Sequence, residues 1–293
     1  MTHVRAELEV SERRACVVVE QPRATNRYQA RQPEKDRALV QRLLDLSRQH
    51  PRYGYRRITA LLRREGFLVN RKRVQRLWRK EGLKVPMRQR KRRRLGHSGN
   101  SCCARRSEYR NEVWSYDFVM DQTSDGRRLK LLPIVDEYTR ESLVIEVARS
   151  LEAVDVVRVL AGLIAVRGAP SFIRSDNGPE FIAAAVRAYL VKIGAQTLFI
   201  APGSPWENAY SETFNSRLGD ELLKREVFTS LTEAKVLVEQ YRRSYNEERP
   251  HSALGYWTPA AFAAACVAAG SASLRPPQRT GEQTTETLIT AGT

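Results

Sequence analysis

Most of the 33 Asp and Glu residues lie on charged helical faces or in turns, where solvation accounts for them. Asp117, Asp176 and Glu212 do not fit that description. Asp117 sits inside an apolar run, among Trp114, Tyr116, Phe118 and Val119. Asp176 ends the short segment SFIRSD and is followed by Asn177-Gly178. Glu212 lies on a helical segment behind a Gly/Pro loop. A lone buried carboxylate costs free energy unless it is paired or bound to a cation. Sites in α/β sheets collect at strand ends that face a crevice. If the first and fourth strands are neighbours, Asp117 and Asp176 meet, and a helix packed across them brings in Glu212. Clustered carboxylates repel one another; hard divalent cations relieve that repulsion, and oxygen ligands select Mg²⁺ or Mn²⁺. Two such ions, roughly 3.5–4 Å apart, clamp the attacking and leaving oxygens of an in-line phosphoryl displacement. The plainer alternative stays open at this point: Asp117 as a strand-edge residue and Asp176 as the Asx residue of a turn.

The charge distribution supplies a substrate. The chain has 293 residues, 50 of them Lys or Arg, and a net charge of +17. Residues 1–110 hold 31 Lys and Arg against 10 Asp and Glu, whereas residues 111–293 hold 19 against 23. A basic front therefore precedes a mildly acidic back. This excludes a uniformly basic packaging protein and points to a front that binds nucleic acid. A DNA phosphodiester is then the natural substrate. With 42% hydrophobic residues, global disorder is excluded. The longest small or apolar run, Ala260 to Ala269, is too short to span a membrane. No secretory signal is visible. Cys16, Cys102, Cys103 and Cys266 form no C-x-x-C, and His3, His50, His97 and His251 are scattered. A structural zinc site is not expected, and reduced thiols in a cytoplasmic protein are.

Residues 1–34 read as a polar N-terminal segment, with Pro22 and Pro33 as breakers. From Asp36 to Gln49, Leu39, Val40, Leu43, Leu44 and Leu46 recur at helical spacing, and Pro51 ends the helix. In RYGYRRITALLRREG, Ile58, Leu61 and Leu62 form a stripe stopped by Gly66. Asn70 then caps RKRVQRLWRKEG, in which Val74, Leu77 and Trp78 face inward. Arg71, Lys72, Arg73, Arg76, Arg79 and Lys80 cover the remaining surface, and Gly82 closes the helix. Two short helices joined by a tight turn, the second intensely basic, read as a DNA-binding helix-turn-helix, with an ordinary solvated helix as the alternative. The following basic run includes Arg92, Arg93 and Arg94 and gains affinity by counterion release. The expected domain thus covers residues 35–95, and a linker follows over 96–110.

After Asn111 the periodicity changes. VWSYDFVMD alternates as a strand, Asp125-Gly126 is a hairpin turn, and RRLKLLPIVDEYT and RESLVIEVA read as two more strands. A helix over Ala153–Val166, the SFIRSD strand, a helix in PEFIAAAVRAYLVKIG, a fifth strand in AQTLFIAP and a helix in ENAYSETFNSRLGDELL follow. Hairpins first and crossovers later predict an α/β domain with a mixed five-stranded sheet and flanking helices. Its expected extent is 111–226, with a C-terminal helix and tail of the core over 227–265 and a disordered tail over 266–293.

The motifs WSYDFV, RSDNGPEF, PGSPWENAYSETFN and YNEERPHSALGYWTP occur in that order. Together they resemble the integrase core of bacterial insertion-sequence transposases, specifically the second-frame (OrfB-like) product of insertion sequence family three. Asp176 and Glu212 are separated by 35 residues, the spacing that family shares with retroviral integrases. HPRYGYRRITALLRREGFLVNRKRVQRLWRKEGL is similar to the helix-turn-helix region of the same proteins. The resemblance covers roughly residues 35–262. It implies a ribonuclease-H-like fold behind an all-α helix-turn-helix domain. It further implies a DDE triad of Asp117, Asp176 and Glu212 that binds two Mg²⁺ or Mn²⁺ ions. The implied chemistry is cleavage at the element's ends by water, then attack of the freed 3′-OH on target DNA. The implied partners are double-stranded DNA, further copies of the chain on paired ends, and an upstream helix-turn-helix product joined by frameshift fusion. The implied location is the cytoplasm, on the nucleoid when bound.

Supporting residues are open in role. Asn208, one turn before Glu212, orients DNA or a metal-bound water, or hydrogen-bonds at the helix start. Asn177 beside Asp176 has the same candidate role. Trp206 stacks on a base or anchors a loop. Arg249 and His251 touch phosphate, or belong to a buried turn that docks the last helix. Asp136 reads as a turn residue. Relatives usually carry Lys or Arg seven residues after the glutamate; here Gly219 stands there, at a cost of roughly 1 kcal/mol of helix stability relative to Ala. Lys224 or Arg225 are candidates to compensate. Two other functions fit parts of the pattern: a DNA-binding regulator with an inactive core, and a ribonuclease-H-type hydrolase acting on hybrids.

Overall fold

The structure, a computed structural model, describes residues 7, 9–27, 33–85, 107–175, 184–199 and 208–268. It forms two units, Met1–Lys84 and Val85–Thr293.

The first unit is helical. Helix α1 (Glu12–Val18) starts at Ser11, whose side chain accepts from the Arg14 N–H, and α2 (Arg23–Arg27) follows. These two helices stand where the sequence reads only as a polar segment. Helices of seven and five residues are too short to show a hydrophobic period, and they are joined by the bidentate ion pair of Arg27 with Glu12. Helix α3 (Pro33–Gln49) begins at the proline that the sequence reads as a breaker. A proline is favoured at the first helical position, where its missing N–H costs nothing. Helices α4 (Tyr55–Arg64) and α5 (Arg71–Lys80) complete the helix-turn-helix. Asn70 caps α5 as expected, accepting from the Lys72 N–H at 2.8 Å. Leu39, Leu43 and Leu46 of α3, Ile58, Leu61 and Leu62 of α4, and Val74, Leu77 and Trp78 of α5 are buried.

The second unit is built on a mixed sheet. Its strands are β1 (Val113–Tyr116), β2 (Val119–Gln122), β3 (Arg128–Asp136), β4 (Ser142–Ala148), β5 (Phe172–Ser175) and β6 (Gln196–Phe199). Strand β3 pairs antiparallel with β4 on one side and with β1 and β2 on the other. Strands β1, β5 and β6 run parallel. Among the described residues the sheet has six strand segments, where five are expected. The difference lies at Asp117. Tyr116 pairs with Ile134 and Val119 with Leu131, which is one unbroken register, and it sets Asp117 opposite Pro133. The closely spaced pairs of this ladder fall on odd positions of β1 and β2, as the bonds Glu137 N–H to Val113 and Thr123 N–H to Arg127 show. Pro133 has no N–H to donate to the Asp117 carbonyl, so the ladder lapses there and one expected strand becomes two.

Helices cover both faces. Even-numbered residues of β1 and β3 (Trp114, Tyr116, Leu132, Ile134) pack with helices α6 (Ala153–Arg167) and α7 (Ala184–Lys192), through Val156, Leu160, Val186 and Leu190. On the other face, Leu129, Leu131 and Val135 pack with Phe214 and Leu218 of α8 (Ala209–Leu218) and with Val238 and Tyr245 of α9 (Leu231–Glu247). Asp117 shares the side of Ser115 and therefore belongs to this second face. Helix α10 (Pro259–Ala268) packs on α9. It buries Cys266, so the tail expected from 266 onward begins inside a helix. Among the described residues, no helix is long and apolar enough to cross a membrane.

Candidate active site

Asp117 stands at the C-terminal end of β1, half-buried, at the break that Pro133 imposes. Its neighbour on one side is β5, with Ser115 in register with Arg174. The expected adjacency of the first and fourth strands is therefore present. Strand β5 ends at Ser175. Asp176 and Asn177 lie outside the described residues, as do Trp206 and Arg92, Arg93 and Arg94.

Across this strand end lies α8, which carries Glu212 in its first turn, exposed. Asn215 of the same helix donates from Nδ2 to Asp117 Oδ2 at 3.1 Å. The helix thus docks on the first carboxylate one turn after the third. The sequence reading missed Asn215. Its signal was helical arithmetic: Phe214 and Leu218 mark the inward stripe, and Asn215 borders it, three residues after Glu212. Asn208 does not take the helix-start role read for it. It is the residue before the helix, buried, with no capping bond from its side chain.

The inward stripe of α8 carries more oxygen than the described protein satisfies. Asn208 Oδ1, Ser211 Oγ and Asn215 Oδ1 are buried and have no hydrogen-bond partner among the described residues. Buried polar atoms are normally paired, with protein, water or a bound group. Together with the Asp117 and Glu212 carboxylates the stripe is a set of hard oxygen donors, which suits Mg²⁺ or Mn²⁺ and no soft metal. Among the described residues, no group of three or more His, Cys, Asp and Glu residues could hold a metal ion.

Beyond Gly219 the helix widens into a π turn, Gly219–Leu223, closed by the Lys224 N–H to Gly219 carbonyl bond at 3.0 Å. Gly219 keeps helical angles (φ −60°, ψ −47°), and a Cβ there would meet nothing within 4 Å. Lys224 pairs with Asp220 at 3.0 Å. Glu221 in the π turn receives the bidentate guanidinium of Arg249 at 2.7 and 2.8 Å. Arg249 is 2% exposed and lies 5.2 Å from the Tyr245 ring centroid. Of the two roles read for it, this geometry is the docking one. His251 stands edge-on to Tyr245 at 6.4 Å.

In the first unit, Arg71, Lys72, Arg76, Arg79 and Lys80 of α5 are exposed, as a phosphate-binding face requires. Arg73 differs: it is half-buried and bonded to Asp36 at the start of α3, with Nε at 3.0 Å. Its charge is spent on holding the helices together.

Asp136 ends β3 as a turn residue, as read. Its buried carboxylate accepts from the N–H groups of Asn111, Tyr138 and Thr139 at 2.8, 2.8 and 3.0 Å. Burial nevertheless pushes its pKa up. Beside it, burial pushes Glu137 up to about 7, against the pull of Arg174 and Arg140.

Three family models match the chain. An HTH-like domain matches residues 33–91, and integrase core domains match residues 108–205 and 193–259. A 31.7 kDa protein of insertion element IS407 from Burkholderia multivorans is 40% identical over 264 residues, 90% of this chain and 94% of that protein. A 39.2 kDa protein of insertion element IS476 from Xanthomonas euvesicatoria is 40% identical over 87% of this chain and 73% of that protein. The transposase InsD of insertion element IS2 from Escherichia coli is 29% identical over 71% of this chain and 72% of that protein.

Proposed function

Because this chain belongs to the insertion-element transposases that carry an integrase core behind an HTH-like domain, we propose that Asp117, Asp176 and Glu212 are its DDE triad. The reaction is metal-dependent cleavage at the ends of the element, followed by transfer of the freed 3′-OH to target DNA. The observation that carries the reading is the Asn215–Asp117 bond at 3.1 Å, which seats the helix of Glu212 on the first carboxylate. The parallel pairing of β1 with β5 supports the second carboxylate, because Asp176 directly follows the last residue of β5.

The three carboxylates would hold two Mg²⁺ or Mn²⁺ ions, which supply positive charge at the phosphodiester and make water a usable nucleophile. The chain's own residues hold and orient. Asn215 fixes the carboxylate plane of Asp117. Arg71, Lys72, Arg76, Arg79 and Lys80 neutralise phosphates and bind the duplex. No side chain is needed as a covalent nucleophile. The partners in this reading are duplex DNA at the element ends and at the target, further copies of the chain on paired ends, and an upstream product joined by frameshift.

The test is a labelled duplex carrying the element's terminal repeat, incubated with the full chain in Mg²⁺, in Mn²⁺ or in chelator. Metal-dependent nicks ending in 3′-OH, joined to target DNA on longer incubation, are expected. Binding of the ends with no nicking in either metal overturns the reading in favour of a DNA-binding regulator.

A further inference from the structure

The turn between β3 and β4 holds Asp136 and Glu137, both buried, and Arg140, half-buried, and the proposed reaction uses none of them. Asp136 shapes it by accepting three backbone N–H groups. Glu137 anchors it to β1, donating its N–H to the Val113 carbonyl at 3.0 Å. Arg140 adopts a left-handed backbone, φ +64°. A non-glycine residue in that region carries strain and persists where its surroundings over-determine it.

The side chains of this turn reach in two directions. The Glu137 carboxylate, 1% exposed, lies 3.4 Å from Nε of Arg174, which is 3% exposed. Arg174 is on β5, two residues before Asp176 in the chain. The Arg140 guanidinium sits 4.0 Å from the ring centroid of Tyr210, in the first turn of α8, two residues before Glu212. One turn therefore grips β5, which the chain leaves one residue before Asp176, and α8, which carries Glu212. Buried charges cost desolvation that apolar side chains of the same volume would not. Ion pairs and cation–π stacks fix direction and distance as apolar packing does not.

We propose that Glu137 and Arg140 are positioning residues, which set β5 and α8 at the separation that lets Asp176 and Glu212 share metal with Asp117. This rests on the triad reading above. The β3–β4 turn is then a rigid strut of the active site and not merely a hairpin connection.

The experiment is calorimetric titration of Mn²⁺ into the full chain, free of DNA, with thermal unfolding as the control for folding. Wild type, Asp117→Asn, Glu137→Gln, Tyr210→Ala and Tyr210→Phe are compared. Glu137→Gln and Tyr210→Ala are expected to weaken Mn²⁺ binding at least tenfold while folded, and Tyr210→Phe to match wild type. If Glu137→Gln does not fold, the Tyr210 pair decides. Folded Glu137→Gln and Tyr210→Ala chains that bind within twofold of wild type overturn the strut and leave the triad standing. A wild type that binds no Mn²⁺, or an Asp117→Asn chain that binds as wild type does, overturns the triad and the strut together.

Discussion

Asn215 Nδ2 lies 3.1 Å from Asp117 Oδ2, although 98 positions separate the two residues in the chain. The bond joins a strand end to a helix that arrives after two crossovers, and it is charge-assisted. Asn215→Ala is expected to slow end cleavage by ten- to a hundredfold, since Asp117 then loses its fixed orientation. Stability should fall by about 1 kcal/mol, because Asp117 is only half-buried and water can replace the donor. Cleavage rates alongside urea unfolding measure both; an unchanged rate removes Asn215 from the site.

Arg73 and its helical neighbours should separate by assay. Each of Arg71, Lys72, Arg76, Arg79 and Lys80 that meets a phosphate contributes roughly 0.9 to the salt slope of DNA binding. Alanine at those positions is expected to flatten the slope without moving the unfolding midpoint. Arg73→Ala is expected to lower the midpoint, since it strands Asp36. Reversal of these two behaviours contradicts the assignment.

Arg249 is buried against Glu221. Removing one partner of a buried pair leaves the other charge uncompensated, at about 3–5 kcal/mol. Arg249→Ala should therefore destabilise the catalytic unit by that order. A variant of unchanged stability but weaker DNA binding would restore the phosphate-contact role.

Gly219 is helical and open. Gly219→Ala is expected to stabilise by about 0.4–1 kcal/mol through the unfolded chain, with cleavage unchanged. Gly219→Lys adds a positive charge to the open face of this helix, and tighter binding of element ends is expected. Thermal melts and gel shifts check the two.

Glu137 gives a pH dependence whose sign is fixed. Its pKa in the folded chain is about 7, above the ordinary 4.5, because burial disfavours the anion. Between those values the folded state binds more protons than the unfolded state, so stability falls as pH rises from 4.5 to 7 and is level above. The full effect is on the order of 3 kcal/mol. Denaturant unfolding at pH 5 and at pH 8 should show the fall in wild type and a smaller one in Glu137→Gln. Equal falls would place the effect elsewhere.

Much of this molecule is legible in its residues. Hairpin-then-crossover order led to the mixed sheet, and the apolar setting of Asp117 picked out the residue that meets α8. The helix-turn-helix followed from Ile58, Leu61 and Leu62 and from the Asn70 cap. What escaped was long-range or depended on partners. Nothing local shows that Pro133 faces Asp117 and splits a strand, because that depends on register. Nothing local separates Arg73 from Arg71, or shows that Arg249 meets Glu221, because ion pairs form between distant segments. Pro33 is ambiguous in the sequence, because a proline that breaks one element also starts another. Asn215 gives only a weak local signal, because an amide at the edge of a helical stripe reads as solvated until its partner across the fold is known, and Asn208 lies just outside the helix.

The central claim is that three carboxylates act as one metal-dependent unit. Its most direct test is cleavage of terminal-repeat DNA in Mg²⁺ by Asp117→Asn, Asp176→Asn and Glu212→Gln, each compared with wild type in a parallel binding assay. The account predicts that every variant binds the ends as wild type does and that none cleaves them. Cleavage retained by any one of the three would contradict it.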